Sequence, residues 1–149
     1  MRLPIQVNIF VVRPAPDGRR EYLLLHRVLP RLSFWQPVTG GVESGETIEQ
    51  AARRELTEET GFPTDDLRPT GFTYSFPPDE FFQDIYDTEP DEIAVHVFVA
   101  RVKPGAEPRL DPVEHDDYCW CNHDEAMELL HWWDDKEALK RAAAYLNNQ

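Results

Sequence analysis

Between Thr47 and Gly61 the chain specifies one helix with both ends marked, and that element constrains everything built around it. Thr47 is an N-cap residue with Gln50 three positions on, the reciprocal arrangement in which each side chain satisfies an orphan backbone N–H. Gly61 stands where a left-handed C-terminal residue is wanted, and Pro63 bars continuation. Between these stops Glu55, Glu58 and Glu59 lie three and four residues apart. At about 3.6 residues per turn their carboxylates share an arc of about 100°. Like charges so placed cost a helix roughly a few tenths of a kcal/mol, so three together make sense chiefly where cations neutralise them. Hard oxygen ligands of this kind suit Mg²⁺ or Mn²⁺. A solvated charge run, with Arg54 making routine ion pairs, also produces such a face. Arg54 and Glu58 form an i,i+4 pair, which predicts that Arg54 orients a glutamate by a charge-assisted hydrogen bond.

The surrounding segments read mainly as strands. Ile5 to Arg13 and Tyr22 to Arg27 are apolar and flank the turn Pro14-Ala15-Pro16-Asp17-Gly18. Phe34 to Thr39 reads as a strand that precedes the double glycine Gly40-Gly41, with Glu43 to Glu46 as a polar loop. Arg68 to Phe76 and Ile93 to Val102 are β-rich. Pro77 to Glu92, acidic, aromatic and proline-punctuated, reads as a long loop of the kind that carries specificity. Tyr118 to Cys121 reads as a short strand. Asn122 is the expected cap of a helix through Leu130, and Asp134 or Asp135 that of a last helix through Leu146. This order predicts an α+β fold, an α/β/α sandwich with a mixed sheet between helices, in one domain over residues 1–149.

Charge narrows the partners. The chain has 28 acidic against 15 basic side chains and a formal charge of −13, which would repel a nucleic-acid polymer. A phosphorylated small molecule then requires a local inversion of sign, which divalent cations on clustered carboxylates supply. Met1 to Asn8 lacks an apolar stretch of signal-peptide length, and no run approaches the roughly 20 apolar residues of a membrane span. A soluble, cytoplasmic protein without membrane contact is the expectation, monomeric or homodimeric. The two cysteines, Cys119 and Cys121, fit a reducing compartment. The run His115-x3-Cys119-x-Cys121-x-His123 lacks a Cys-x2-Cys knuckle, and Tyr118 and Trp120 interleave it as strand packing would, so it reads as packing and not as a zinc site.

From Gly40 the sequence runs Gly-x5-Glu46-x7-Arg54-Glu55-Leu56-x-Glu58-Glu59-x-Gly61-Phe62. It resembles the Nudix box of the MutT-like Nudix hydrolases at every defining position, a match whose chance occurrence is on the order of 10⁻⁸ per window. The resemblance implies a Nudix fold and attack on a diphosphate linkage by a metal-activated water, releasing a nucleoside monophosphate plus pyrophosphate or another phosphorylated group. Glu55, Glu58 and Glu59 would be metal ligands, and the glycine-containing loop would fold back so that backbone oxygens near Thr39 reach the metal site. The general base varies in this family, and Glu55 and Glu114 both stand as candidates.

Three further stretches, Leu24 to Arg27, Phe34 to Gly40 and Val113 to His115 with Tyr118 to Trp120, are similar to the bacterial dihydroneopterin triphosphate pyrophosphohydrolases, which also hydrolyse deoxynucleoside triphosphates. In this light Arg27 is a candidate phosphate contact, with a surface ion pair as the plainer alternative. Trp35 is a candidate to stack on a base or pterin ring, although strand tryptophans commonly pack in cores. His115 is a candidate substrate or proton-transfer group, or merely a hydrogen-bonded histidine. Two other functions stay open: hydrolysis of a dinucleoside polyphosphate or nucleotide sugar, and non-catalytic nucleotide sensing, against which the intact set of glutamates speaks.

Overall fold

The computed structural model describes residues 2–30, 32–77 and 92–149. Seven strands form one mixed sheet: β1 (Arg2–Pro14), β2 (Arg20–Val28), β3 (Ser33–Gln36), β4 (Val38–Glu43), β5 (Leu67–Phe76), β6 (Ile93–Arg101) and β7 (His115–Cys121). Three helices accompany it: α1 (Ile48–Thr60), α2 (His123–Leu129) and α3 (Trp133–Asn147). The main path runs β3-β2-β1-β6-β5, with β4 added to β1 and β7 to β2. Only the β1–β6 pairing is parallel among these described strands.

Alternation along β1 sorts the core into two layers. Val7, Ile9 and Val11 face α1 and pack with Leu56, Ala51, Ala52, Val38 and Val42. Phe10 and Val12 face the other way, toward Ala126 of α2 and Leu139 and Ala142 of α3. Helices therefore cover both faces of a mixed sheet, as the order of elements predicts.

The caps of α1 form as read. Thr47 accepts from the Gln50 N–H and Gln50 returns to the Thr47 N–H, while Gly61 closes the helix at φ 74°. Asn122 and Glu125 make the same reciprocal box at α2.

Three expectations need correction. Phe34 to Thr39 is not one strand: Pro37, which has no N–H for a ladder, separates β3 on β2 from β4 on β1. Gly40 and Gly41 accordingly lie inside β4, opposite Val7 and Gln6, and not in a loop after it. Neither Asp134 nor Asp135 caps α3. Trp132 occupies the cap without a side-chain bond, and Asp135, in the first turn, is buried against Asn8 and Tyr74 instead. Of the stretch Pro77 to Glu92 read as a specificity loop, residues 78–91 lie outside the described residues.

Candidate active site

Leu56, fully buried with Ala52 against β4, fixes which face of α1 turns inward. The glutamates then fall at graded depths. Glu58 is exposed, the Glu55 side chain is 12% accessible and that of Glu59 only 2%. Glu55 lies over the backbone of Gly40, where a Cβ would stand 2.0 Å from the Glu55 carboxyl carbon. No residue with a side chain fits there without displacing the carboxylate.

Arg54 ties the loop to the helix. Its guanidinium donates to both carboxylate oxygens of Glu46 (2.7 and 3.0 Å), to Glu55 (2.8 Å), to Glu58 (3.3 Å) and to the Gly41 carbonyl (2.8 Å). Glu46 in turn accepts from the Glu43 N–H, so the loop after β4 is pinned from within. The Arg54 hydrogen bond holds Glu46 below the usual carboxylate range. Glu55 behaves oppositely: burial pushes its carboxyl up to about 7, although Arg54 opposes the shift.

Glu59 is the deepest group. One oxygen accepts from the Thr39 N–H at 3.2 Å, and the other, Oε1, is buried with no hydrogen-bond partner. Burial raises its carboxyl well above the ordinary range, and the neighbouring Glu55 and Glu114 add to the effect. Ligand atoms of Glu59, Glu114 and His115 all lie within 4.8 Å of one another.

A bulge between His26 and Arg27 brings Arg27 opposite His115 at the β2–β7 edge. Arg27 pairs with Glu114 at 3.5 Å. His115 is buried, and burial first, then Arg27, lowers its pKa and keeps the imidazole neutral. An orphaned, buried carboxylate oxygen among further carboxylates fits a divalent cation, which would satisfy the oxygen and offset the repulsion.

The structure thus gathers Thr39, Arg54, Glu55, Glu58 and Glu59 with Arg27, Glu114 and His115. It does not bring Trp35 among them: that ring packs on the α2–α3 side of the sheet, 4.9 Å from the His26 ring. Two polar residues of this region escaped the sequence reading. Gln36, buried, contacts His115 at 3.1 Å. Asn8, also buried, accepts from the Thr39 hydroxyl at 2.6 Å. Asn8 interrupts the apolar run Val7 to Val12, and a buried amide within such a run is the available signal.

The model of the family described as NUDIX domain matches residues 4–142. The chain belongs to the NUDIX family. It is 37% identical over 131 residues to an RNA pyrophosphohydrolase of Caulobacter vibrioides, covering 83% of this chain and 75% of that protein. It is 37% identical over 141 residues to an octanoyltransferase of Myxococcus xanthus, where it spans 93% of itself but only 36% of the relative. Among solved structures, the dihydroneopterin triphosphate pyrophosphohydrolase of E. coli superposes with a TM-score of 0.76 at 28% identity, covering 94% of each chain. The α+β arrangement is that of the NUDIX fold, and membership supports a hydrolase acting on diphosphate bonds.

Proposed function

We propose that this chain is a magnesium-dependent pyrophosphohydrolase that cleaves a nucleoside triphosphate or dihydroneopterin triphosphate to the monophosphate and pyrophosphate. The observation that carries the reading is the unpartnered, buried Oε1 of Glu59, which stands on the helix that also bears Glu55 and Glu58 and clusters with Glu114 from the segment before β7. Glu55, Glu58, Glu59 and the backbone near Thr39 would hold the ion, with Mn²⁺ as a substitute. A divalent cation held there would supply neutralising charge for a polyphosphate and acidify water. Arg54 restrains Glu55 and Glu58 and does not itself need to meet substrate. Arg27, 3.5 Å from Glu114, supplies a guanidinium for a phosphate oxygen. Two carboxylates can take the proton from the attacking water. Glu55 is poised near neutrality, and Glu114 is accessible from solvent. Comparing Glu55→Gln with Glu114→Gln over a pH series separates them, because loss of the base removes the acid limb of the profile.

The test is a panel of deoxynucleoside triphosphates, dihydroneopterin triphosphate, a dinucleoside polyphosphate and a nucleotide sugar with Mg²⁺, assayed for pyrophosphate against phosphate. The expected result is pyrophosphate from a triphosphate. Glu58→Gln should lower turnover on the order of 10²-fold or more with the circular dichroism unchanged. Turnover of no panel member, or full activity in Glu58→Gln, would overturn the reading. The relative named RNA pyrophosphohydrolase favours adding 5′-triphosphorylated RNA as a second substrate class. At a chain charge of −13, the small triphosphate should be preferred most strongly at low salt.

A further inference from the structure

Glu114 and His115 are consecutive, yet a carboxylate oxygen of the first and a ring nitrogen of the second both lie within 4.8 Å of a Glu59 oxygen. Consecutive side chains of an extended strand point to opposite faces, so the two meet Glu59 only because the chain turns there. The Asp111 carbonyl accepts the Glu114 N–H at 3.2 Å and the His115 N–H at 3.0 Å, and the Asp111 carboxylate accepts the Val113 N–H at 3.0 Å. On its other side the Glu114 carbonyl accepts the Val28 N–H at 3.2 Å. The Glu114 backbone is therefore tied at both of its polar groups.

His115 holds this turn against the body of the protein. It is buried, whereas Val113, two residues earlier, is exposed. Strands β3 and β7 flank β2 from Leu25 to Arg27, and Gln36 of β3 reaches across to His115 at the start of β7. Gln36 Nε2 donates to His115 Nε2 at 3.1 Å, the one sense that an amide nitrogen allows, because it has no lone pair to offer. That bond occupies the ring's acceptor and leaves its proton on Nδ1, which is buried without a hydrogen-bond partner. As a stabilising device the pair is poor. A buried amide and a half-satisfied imidazole carry a desolvation cost that two apolar side chains of the same shape avoid. A directed bond supplies what apolar contact does not, a fixed orientation of the ring and of the peptide that joins it to Glu114.

We infer that Gln36 is a positioning residue: through His115 it sets the Glu114 carboxylate beside Glu59 and 3.5 Å from Arg27. Its effect on turnover rests on the hydrolase reading given above.

Gln36→Met keeps the length of the side chain and removes the donor. With Mg²⁺ and the panel triphosphate that the parent hydrolyses fastest, kcat should fall about tenfold to a hundredfold. The same change made in Glu114→Gln should cause no further loss, because a residue that acts through Glu114 then has nothing to act on. No loss in the parent background, or an equal loss in both, overturns the inference. A crystal structure of Gln36→Met is the second measurement. The Glu114 carboxylate is expected to be displaced from Glu59, and a carboxylate left in place overturns the inference even where Glu114→Gln has no residual turnover to compare. If Gln36→Met does not fold, the double variant Gln36→Met/His115→Phe, which leaves no ring nitrogen unpartnered, takes its place in both measurements. It should be as slow, and parent-level turnover would show that the pair serves packing alone. A parent that hydrolyses no panel member refutes the hydrolase reading instead, and the crystal structure still decides whether Gln36 places Glu114.

Discussion

Glu59 is placed where a carboxylate is costly without a cation: buried, facing Glu55 and Glu114, and with one oxygen unpartnered. An amide of the same shape would keep an acceptor for the Thr39 N–H and carry no charge. Glu59→Gln is therefore expected to raise the melting temperature in a chelator by a few degrees, about 1 kcal/mol for a chain of this size. It should also abolish the further rise that divalent ions give the parent protein. The gain has a sign in pH. A carboxyl whose folded pKa is raised loses stability as pH rises through that value, so the advantage of the amide should grow toward alkaline pH. Thermal unfolding in chelator across pH measures both; a variant less stable than its parent at every pH contradicts the account.

The β4–α1 unit is the element on which the site is assembled, and its tolerance to a single methyl differs by position. Gly40→Ala would set a Cβ 2.0 Å from the Glu55 carboxyl carbon. The expected cost is about 1–3 kcal/mol in urea unfolding, with activity down on the order of 10²-fold because Glu55 is displaced. Gly45→Ala meets nothing within 4 Å but must hold φ +88°, so it should cost about 1 kcal/mol and keep its activity. Equal activities in the two variants would argue against Gly40 as the seat of Glu55. This unit also shows what a sequence can and cannot reveal. The ends of α1 and its three glutamates were readable because caps and i,i+4 spacing are local chemistry. Gln36 and His115 are 79 positions apart, and no local period records that they meet. Asp135 sits where a cap is written, yet the buried amide of Asn8, 127 positions away, claims its side chain. The break at Pro37 was visible as a residue but not as a change of strand partner, because pairing is decided by distant segments.

At the scale of the molecule, Asp135 couples the last helix to the sheet. Its carboxylate accepts from Asn8 at 3.1 Å and from the Tyr74 hydroxyl at 3.5 Å, joining α3 to β1 and β5, and burial pushes its pKa up to about 7 from an ordinary 3.8. The folded state then holds a proton that the unfolded state releases between those values. Its stabilising contribution is full below about pH 4 and is lost as pH rises toward 7. Glu55 acts in the same direction, so the informative quantity is the difference between parent and Asp135→Asn. That variant should gain relative stability from pH 4 to 8 in urea titrations, and a constant difference would refute the assignment. The central position of β1 has a further consequence, in hydrogen exchange. From Ile5 to Val12 it pairs with β6 along one edge, while β4 and then β2 occupy the other. Its amide hydrogens should consequently exchange last, through global opening alone. Thr39 pairs with Asn8 on that strand, so the N–H that holds Glu59 is carried by the part of the protein that opens most rarely.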